Sequence, residues 1–112
     1  MAAPALTLAL APQTDVTFAL PPERGPRRDN PHAAVVPFAP GEAGTYHVAL
    51  SAPAWLDVVQ EGAIVPSAAF VSFTDCPGLR KIVAFDIGED AFTLQISDAE
   101  AASIAVAIAP AR

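Results

Sequence analysis

Apolar and polar residues alternate in short runs along most of this chain, and Gly, Pro, Asp and Ser separate the runs. A period of two puts one apolar face on an extended segment, so each run predicts a β-strand with one side turned to a core. Leu6, Leu8 and Leu10 alternate with Thr7 and Ala9, and Val16, Phe18 and Leu20 alternate with Thr17 and Ala19. Both runs end at prolines, which cannot donate to a sheet ladder. A strand is also predicted over residues 33–38 (AAVVPF), where Pro37 argues for a sheet edge or a bulge. Tyr46, Val48 and Leu50 then alternate with Thr45, His47 and Ala49. The run 54–60 (AWLDVVQ) is apolar on both faces except at Asp57, which favours a core position for Trp55. Gln60-Glu61-Gly62-Ala63 reads as a turn whose glycine can take positive φ.

The second half predicts strands near 67–73, 80–87, 91–97 and 103–109, separated by the turn sequences DCPG, GED and SDAEAA. Phe92, Leu94 and Ile96 form one inward stripe and Ile104, Val106 and Ile108 another, with Thr93, Gln95 and Ser97 opposite the first. At most one helical turn fits, at 98–103. About eight strands at spacings of roughly ten residues, with no amphipathic helix, predict an all-β fold, an antiparallel jelly-roll-like β-sandwich. Its best-defined part is 44–109. The exception to the alternation is PPERGPRRDNP at 21–31, whose four prolines exclude a helix or a central strand. This Pro- and Arg-rich stretch (21–32) predicts a long surface loop, the first place to look for a partner contact.

The length of 112 residues supports one core, hence a single domain over 1–112. An apolar fraction of 53% against 16% charged residues identifies a globular chain, not a disordered one. Net charge is −6, from twelve acids and six bases, which argues against nucleic acid as a partner because phosphate neutralisation needs a basic face. No run of about 18 apolar residues exists, so no membrane-spanning helix is predicted. Met1 is the only methionine, and the N-terminus lacks the basic and apolar regions of a secretory signal. That fits a mature exported sequence behind a start codon, with a cytoplasmic start as the other reading.

Candidate chemistry is sparse. The single cysteine, Cys76, excludes an internal disulfide framework, and no Cys/His spacing suggests zinc. His32 and His47 are the only imidazoles, and no Gly-x-Ser-x-Gly elbow is present, so no catalytic residue is assigned. Most acids fall in turns, where solubility explains them. Asp57 and Asp86 lie inside apolar strands, where an ionised carboxylate requires a partner. An ion pair of Asp57 with Arg80 or Lys81 is preferred to a weak calcium site built on Asp57 and Asp86, and no cofactor is expected. The remaining candidates for binding are Arg24, Arg27 and Arg28 in the Pro-rich loop, and Phe70, Phe73, Cys76, Arg80 and Lys81 around the DCPG turn. Phe70 and Phe73 fall on opposite strand faces, so one of them is a candidate for an exposed contact. Cations beside Cys76 favour its thiolate.

The runs Ala43-Gly44-Thr45-Tyr46-His47-Val48, Ala54-Trp55-Leu56-Asp57-Val58-Val59 and Ala91-Phe92-Thr93-Leu94-Gln95-Ile96 resemble the bacterial pre-peptidase C-terminal domain type, a sandwich attached to or exported with secreted enzymes. Cys76-Pro77-Gly78-Leu79-Arg80-Lys81-Ile82-Val83 is similar to a stretch in small uncharacterised periplasmic proteins of alphaproteobacterial type. Those proteins carry a histidine-bearing loop ahead of the cysteine, where this chain has Phe70-Val71-Ser72-Phe73-Thr74-Asp75, so no metal role carries over. The resemblance implies a periplasmic or secreted, non-catalytic binding or accessory module that contacts a protein or glycan. The other reading is a structural subunit, joined to its neighbours through an edge strand near Val35–Phe38 or at the C-terminus.

Overall fold

Ten strands, in chain order β1 (Leu6–Ala9), β2 (Ala11–Pro12), β3 (His32–Phe38), β4 (Gly44–Leu50), β5 (Trp55–Gln60), β6 (Ala63–Val65), β7 (Ser67–Ser72), β8 (Lys81–Ile87), β9 (Phe92–Ala99) and β10 (Ser103–Pro110), make up a computed structural model of the chain. It describes residues 6–25, 27–39, 41–72 and 79–110. Two antiparallel sheets of five strands each run in the orders β1-β10-β4-β8-β7 (sheet A) and β2-β3-β9-β5-β6 (sheet B). The ten strands are eight longer spans, two of which change sheet part-way. The first crosses at Leu10, whose amide donates to the Ala102 carbonyl, and the other crosses at Pro66, where a missing amide breaks the ladder. With those two spans joined, the chain alternates between sheets in the double Greek-key winding of a jelly roll.

The core lies where the alternation puts it. Tyr46, Val48, Leu50, Val83, Phe85, Ile87, Ile104 and Val106 from sheet A meet Leu56, Val58, Phe92, Leu94 and Ile96 from sheet B. The β5–β6 hairpin closes through Glu61 (φ 53°) and Gly62 (φ 77°), paired across at Gln60 and Ala63. Two consecutive residues at positive φ match the right-handed twist of the strands they join. Pro37 is tolerated in β3 because β2 covers only His32 and Ala33; beyond them the outer side of β3 has no partner among the described residues.

Several expectations are corrected. Residues 16–20 are not a strand: after a 3₁₀ turn at Gln13–Asp15 the chain leaves Val16 extended, bends at Ala19 and Leu20, and lies outside both sheets. Residues 13–25 and 27–31 form a strap across the outer face of sheet B: the surface loop expected at 21–31 stays at the surface but lies against that sheet, and Gln95 and Ser97, opposite the inward stripe of β9, are fully buried beneath the strap. This also explains why 54–60 is apolar on both faces, since both faces of β5 are covered. Trp55 is half-buried on the outer, strap-facing side and not in the core, because Leu56 and Val58 take the inward positions. The C-terminal strand is not an edge: β10 sits between β1 and β4. The stretch 98–103 forms no helical turn, since β9 continues to Ala99 and bends carry the chain into β10.

Candidate functional site

The strap is held by side chains of sheet B that bond its backbone. Gln95 Oε1 accepts from the Ala19 and Leu20 amides at 2.8 and 3.3 Å, and its Nε2 donates to the Leu20 carbonyl at 2.9 Å. One buried side-chain amide thus does the work of a ladder neighbour. Beside it on β5, Asp57 accepts from the Glu23 amide (3.2 Å) and from the Trp55 indole (3.1 Å). Those donors, and not an ion pair with Arg80 or Lys81, are its partners. Burial raises the Asp57 carboxyl above its ordinary value, against the two hydrogen bonds.

The third anchor depends on a β-bulge. Opposite Ala33, between the pairs His32–Ala99 and Ala34–Ile96, β9 carries two residues, Ser97 and Asp98. The extra residue lets Ile96 and Ala99 both face the core and turns Asp98 outward, with φ at 52°. Asp98 is 1% exposed and accepts from Arg24 Nη2 (3.1 Å) and the Arg28 amide (3.2 Å), while its own carbonyl accepts from Arg28 Nε (2.6 Å). The amide freed by the bulge donates to Gln13 Oε1 at 2.7 Å. Burial alone pushes the Asp98 carboxyl up, but the Arg27 and Arg28 amides and the two guanidinium groups outweigh it and hold the carboxyl below its ordinary value.

Anchored in this way, the strap carries Arg24 to the rim of the sandwich. Its guanidinium carbon lies 4.7 Å from the centre of the Trp55 ring. Lys81 approaches the same ring from β8, its Nζ 5.4 Å from the Trp55 centre and 5.8 Å from that of Phe70. Lys81 stands on the inward face of β8, in line with Val83 and Phe85, where the edge strand β7 leaves the gap between the sheets open. Burial and the nearby Arg24 charge lower its ammonium below the ordinary lysine value.

Two depressions meet at Arg24 and Lys81. A cleft of about 240 Å³ opens between the sheets, with Trp55, Leu56, Val65, Phe70, Val83 and Phe85 on its walls and Glu23 and Asp57 at its strap side. Adjoining it, a recess of about 250 Å³ is lined by Arg24, Arg28, Arg80, Lys81, Ser72 and the Pro53–Ala54 turn. Phe70, 68% exposed, forms the outer lip.

Of the residues singled out in the sequence, Arg24, Arg28, Phe70, Arg80 and Lys81 therefore converge, although up to 57 positions separate them. Arg27 is exposed on the strap and lines neither depression. Phe73 and Cys76 lie outside the described residues. Asp57 and Asp86 do not form a metal site: they stand on the outer faces of different sheets, and exposed Asp86 accepts a hydrogen bond from the Thr45 hydroxyl. Among the described residues no group of three or more His, Cys, Asp or Glu could hold a metal ion. Sequence reasoning missed Trp55, Gln95 and Asp98 as parts of this arrangement.

No family model, no curated protein and no solved structure matches the chain. Among the described residues no helix is long and apolar enough to cross a membrane.

Proposed function

We propose that this domain is a non-catalytic binding module of the bacterial envelope, periplasmic or secreted, whose site for a protein or glycan partner is the cleft between β5 and β7. The observation that carries this reading is the convergence on one rim of an exposed aromatic, Phe70, a partly covered tryptophan and cations from the strap and from β8. A flat aromatic lip beside hydrogen-bond donors suits a pyranose face or an apolar side chain. The resemblance to exported sandwich modules supports the compartment. Co-sedimentation with purified peptidoglycan and with acidic cell-surface polysaccharide tests the reading, comparing wild type with Phe70→Ala. Binding that falls at least about fivefold in Phe70→Ala, at unchanged melting temperature, is the expected result. Equal binding by both forms, or none by either, defeats the glycan arm, and a peptide-display panel read the same way decides the protein arm.

A second reading, assembly through an edge strand, is favoured by β7, which is exposed along all six residues and ends sheet A. Light scattering on the eluting peak separates the two: a monomer at micromolar concentration ends the assembly reading.

A further inference from the structure

Four of the five Lys and Arg residues among those described line a single recess, in a chain whose net charge is −6. Only Asp98, already shared by Arg24 and Arg28, and the exposed Glu100, 3.8 Å from Arg28, pair with any of them among the described residues. Arg80 and Lys81 have no acidic partner there. Like charges held this close repel one another unless an anion sits among them. A second observation points the same way: Arg24 Nε is buried and has no hydrogen-bond partner among the described residues. A buried donor left unmatched costs free energy that an acceptor would recover.

The neighbouring cleft has a different character. Phe70, Val65 and the Trp55 ring present hydrocarbon and ring carbon above a floor of buried Leu56, Val83 and Phe85, and Arg24 and Lys81 stand on the boundary it shares with the recess. A ligand that reached from one into the other would meet cations at one end and an apolar slot at the other. Building on the cleft as the binding site, we infer that its ligand is an amphipathic oxyanion: a carboxylate or phosphate head held by Arg24, Arg80 and Lys81, on an apolar body seated against Phe70, Val65 and the Trp55 ring. Arg80 gives reach and charge from the exposed side. Lys81, half-buried between two rings, places its ammonium where the head and body join, and an anion there offsets the desolvation and the Arg24 repulsion that Lys81 otherwise bears.

Trp55 is the sole tryptophan, so its emission reports on the cleft directly. The test titrates the whole chain with four probes: octanoate, octyl phosphate, octanol and inorganic phosphate. At least one amphipathic anion is expected to give a saturable change about tenfold tighter than octanol or inorganic phosphate, and to weaken as salt rises. The tighter of octanoate and octyl phosphate identifies the head. Arg80→Glu and Lys81→Met are expected to weaken that binding about tenfold each, and Arg80→Glu is expected to leave the melting temperature little changed because exposed Arg80 forms no ion pair among the described residues. Octanol binding as tightly as the anions, or Arg80→Glu binding like wild type, overturns the inference. So does the absence of a saturable change with both anions. If that absence comes with intact, Phe70-dependent binding of glycan or peptide, only the ligand class falls; if such binding is missing too, the cleft itself is not the site.

Discussion

Asp98 shows how much one inserted residue can do. Its place in the bulge requires positive φ, which asparagine and aspartate tolerate better than other side chains do, and it requires negative charge to gather Arg24 and Arg28. Asp98→Asn keeps the backbone conformation and removes the charge. It is expected to cost about 2 kcal/mol in urea unfolding at pH 7, the worth of a few charge-assisted hydrogen bonds discounted for two arginines about 30% exposed. Asp98→Ala, which also strains the backbone, is expected to cost more. Lys81 sets the opposite problem, a cation whose folded-state value is depressed. The unfolded chain then binds more protons between the depressed value and the ordinary 10.5, so folding stability rises with pH across that window. Lys81→Met removes that rise, as unfolding curves between pH 8 and about 10.5 will show.

Among the elements, the strap is the one whose stability rests on side chains and not on a ladder. Gln95 alone supplies three hydrogen bonds to it. Gln95→Leu fills the same space and leaves the Ala19 and Leu20 backbone unmatched; because Ala19 itself is exposed, the expected loss is about 1–2 kcal/mol. Amide exchange should accelerate at Ala19, Leu20 and Glu23 while Val48 and Leu94, in the ladders, stay protected. An equal gain in exchange throughout the chain would mean that the strap is no separate unit. The strands themselves were legible because period-two alternation depends only on neighbouring residues: β4, β8, β9 and β10 fall within two residues of their expected bounds. The strap was not, because the same alternation at Val16, Phe18 and Leu20 signals an extended chain without saying whether its amides meet a strand or a glutamine 75 positions away. For the same reason Arg24, Arg28, Phe70, Arg80 and Lys81 were recognisable as candidates by type, whereas their meeting point depends on the strap crossing sheet B and on β7 leaving the rim open.

Taken whole, the molecule buries two carboxylates under one strap and shifts them in opposite directions, Asp57 upward and Asp98 downward. The sign of each effect follows from proton uptake. Between the raised value of Asp57 and the ordinary 3.8, the folded chain takes up its proton before the unfolded one does, so stability grows as pH falls through that interval. The Asp98 contribution is complete above 3.8 and is lost as pH drops through its depressed folded-state value. The expected profile is a shallow maximum in mild acid followed by a steep loss. Asp57→Asn should flatten the rise and leave the loss, and Asp98→Asn should do the reverse, since the two carboxylates meet different parts of the strap, Glu23 for one and Arg24 with Arg28 for the other. Relief of the −6 net charge also favours folding as pH falls, but it acts on wild type and both variants nearly alike and cancels in the differences. Trp55 emission adds a spatial readout. Once Asp98 is protonated the strap loses its arginine anchor, so the indole should become solvated at a higher pH than that at which far-ultraviolet circular dichroism reports loss of the sheets. Coincident transitions by both probes would instead make strap and sandwich a single cooperative unit.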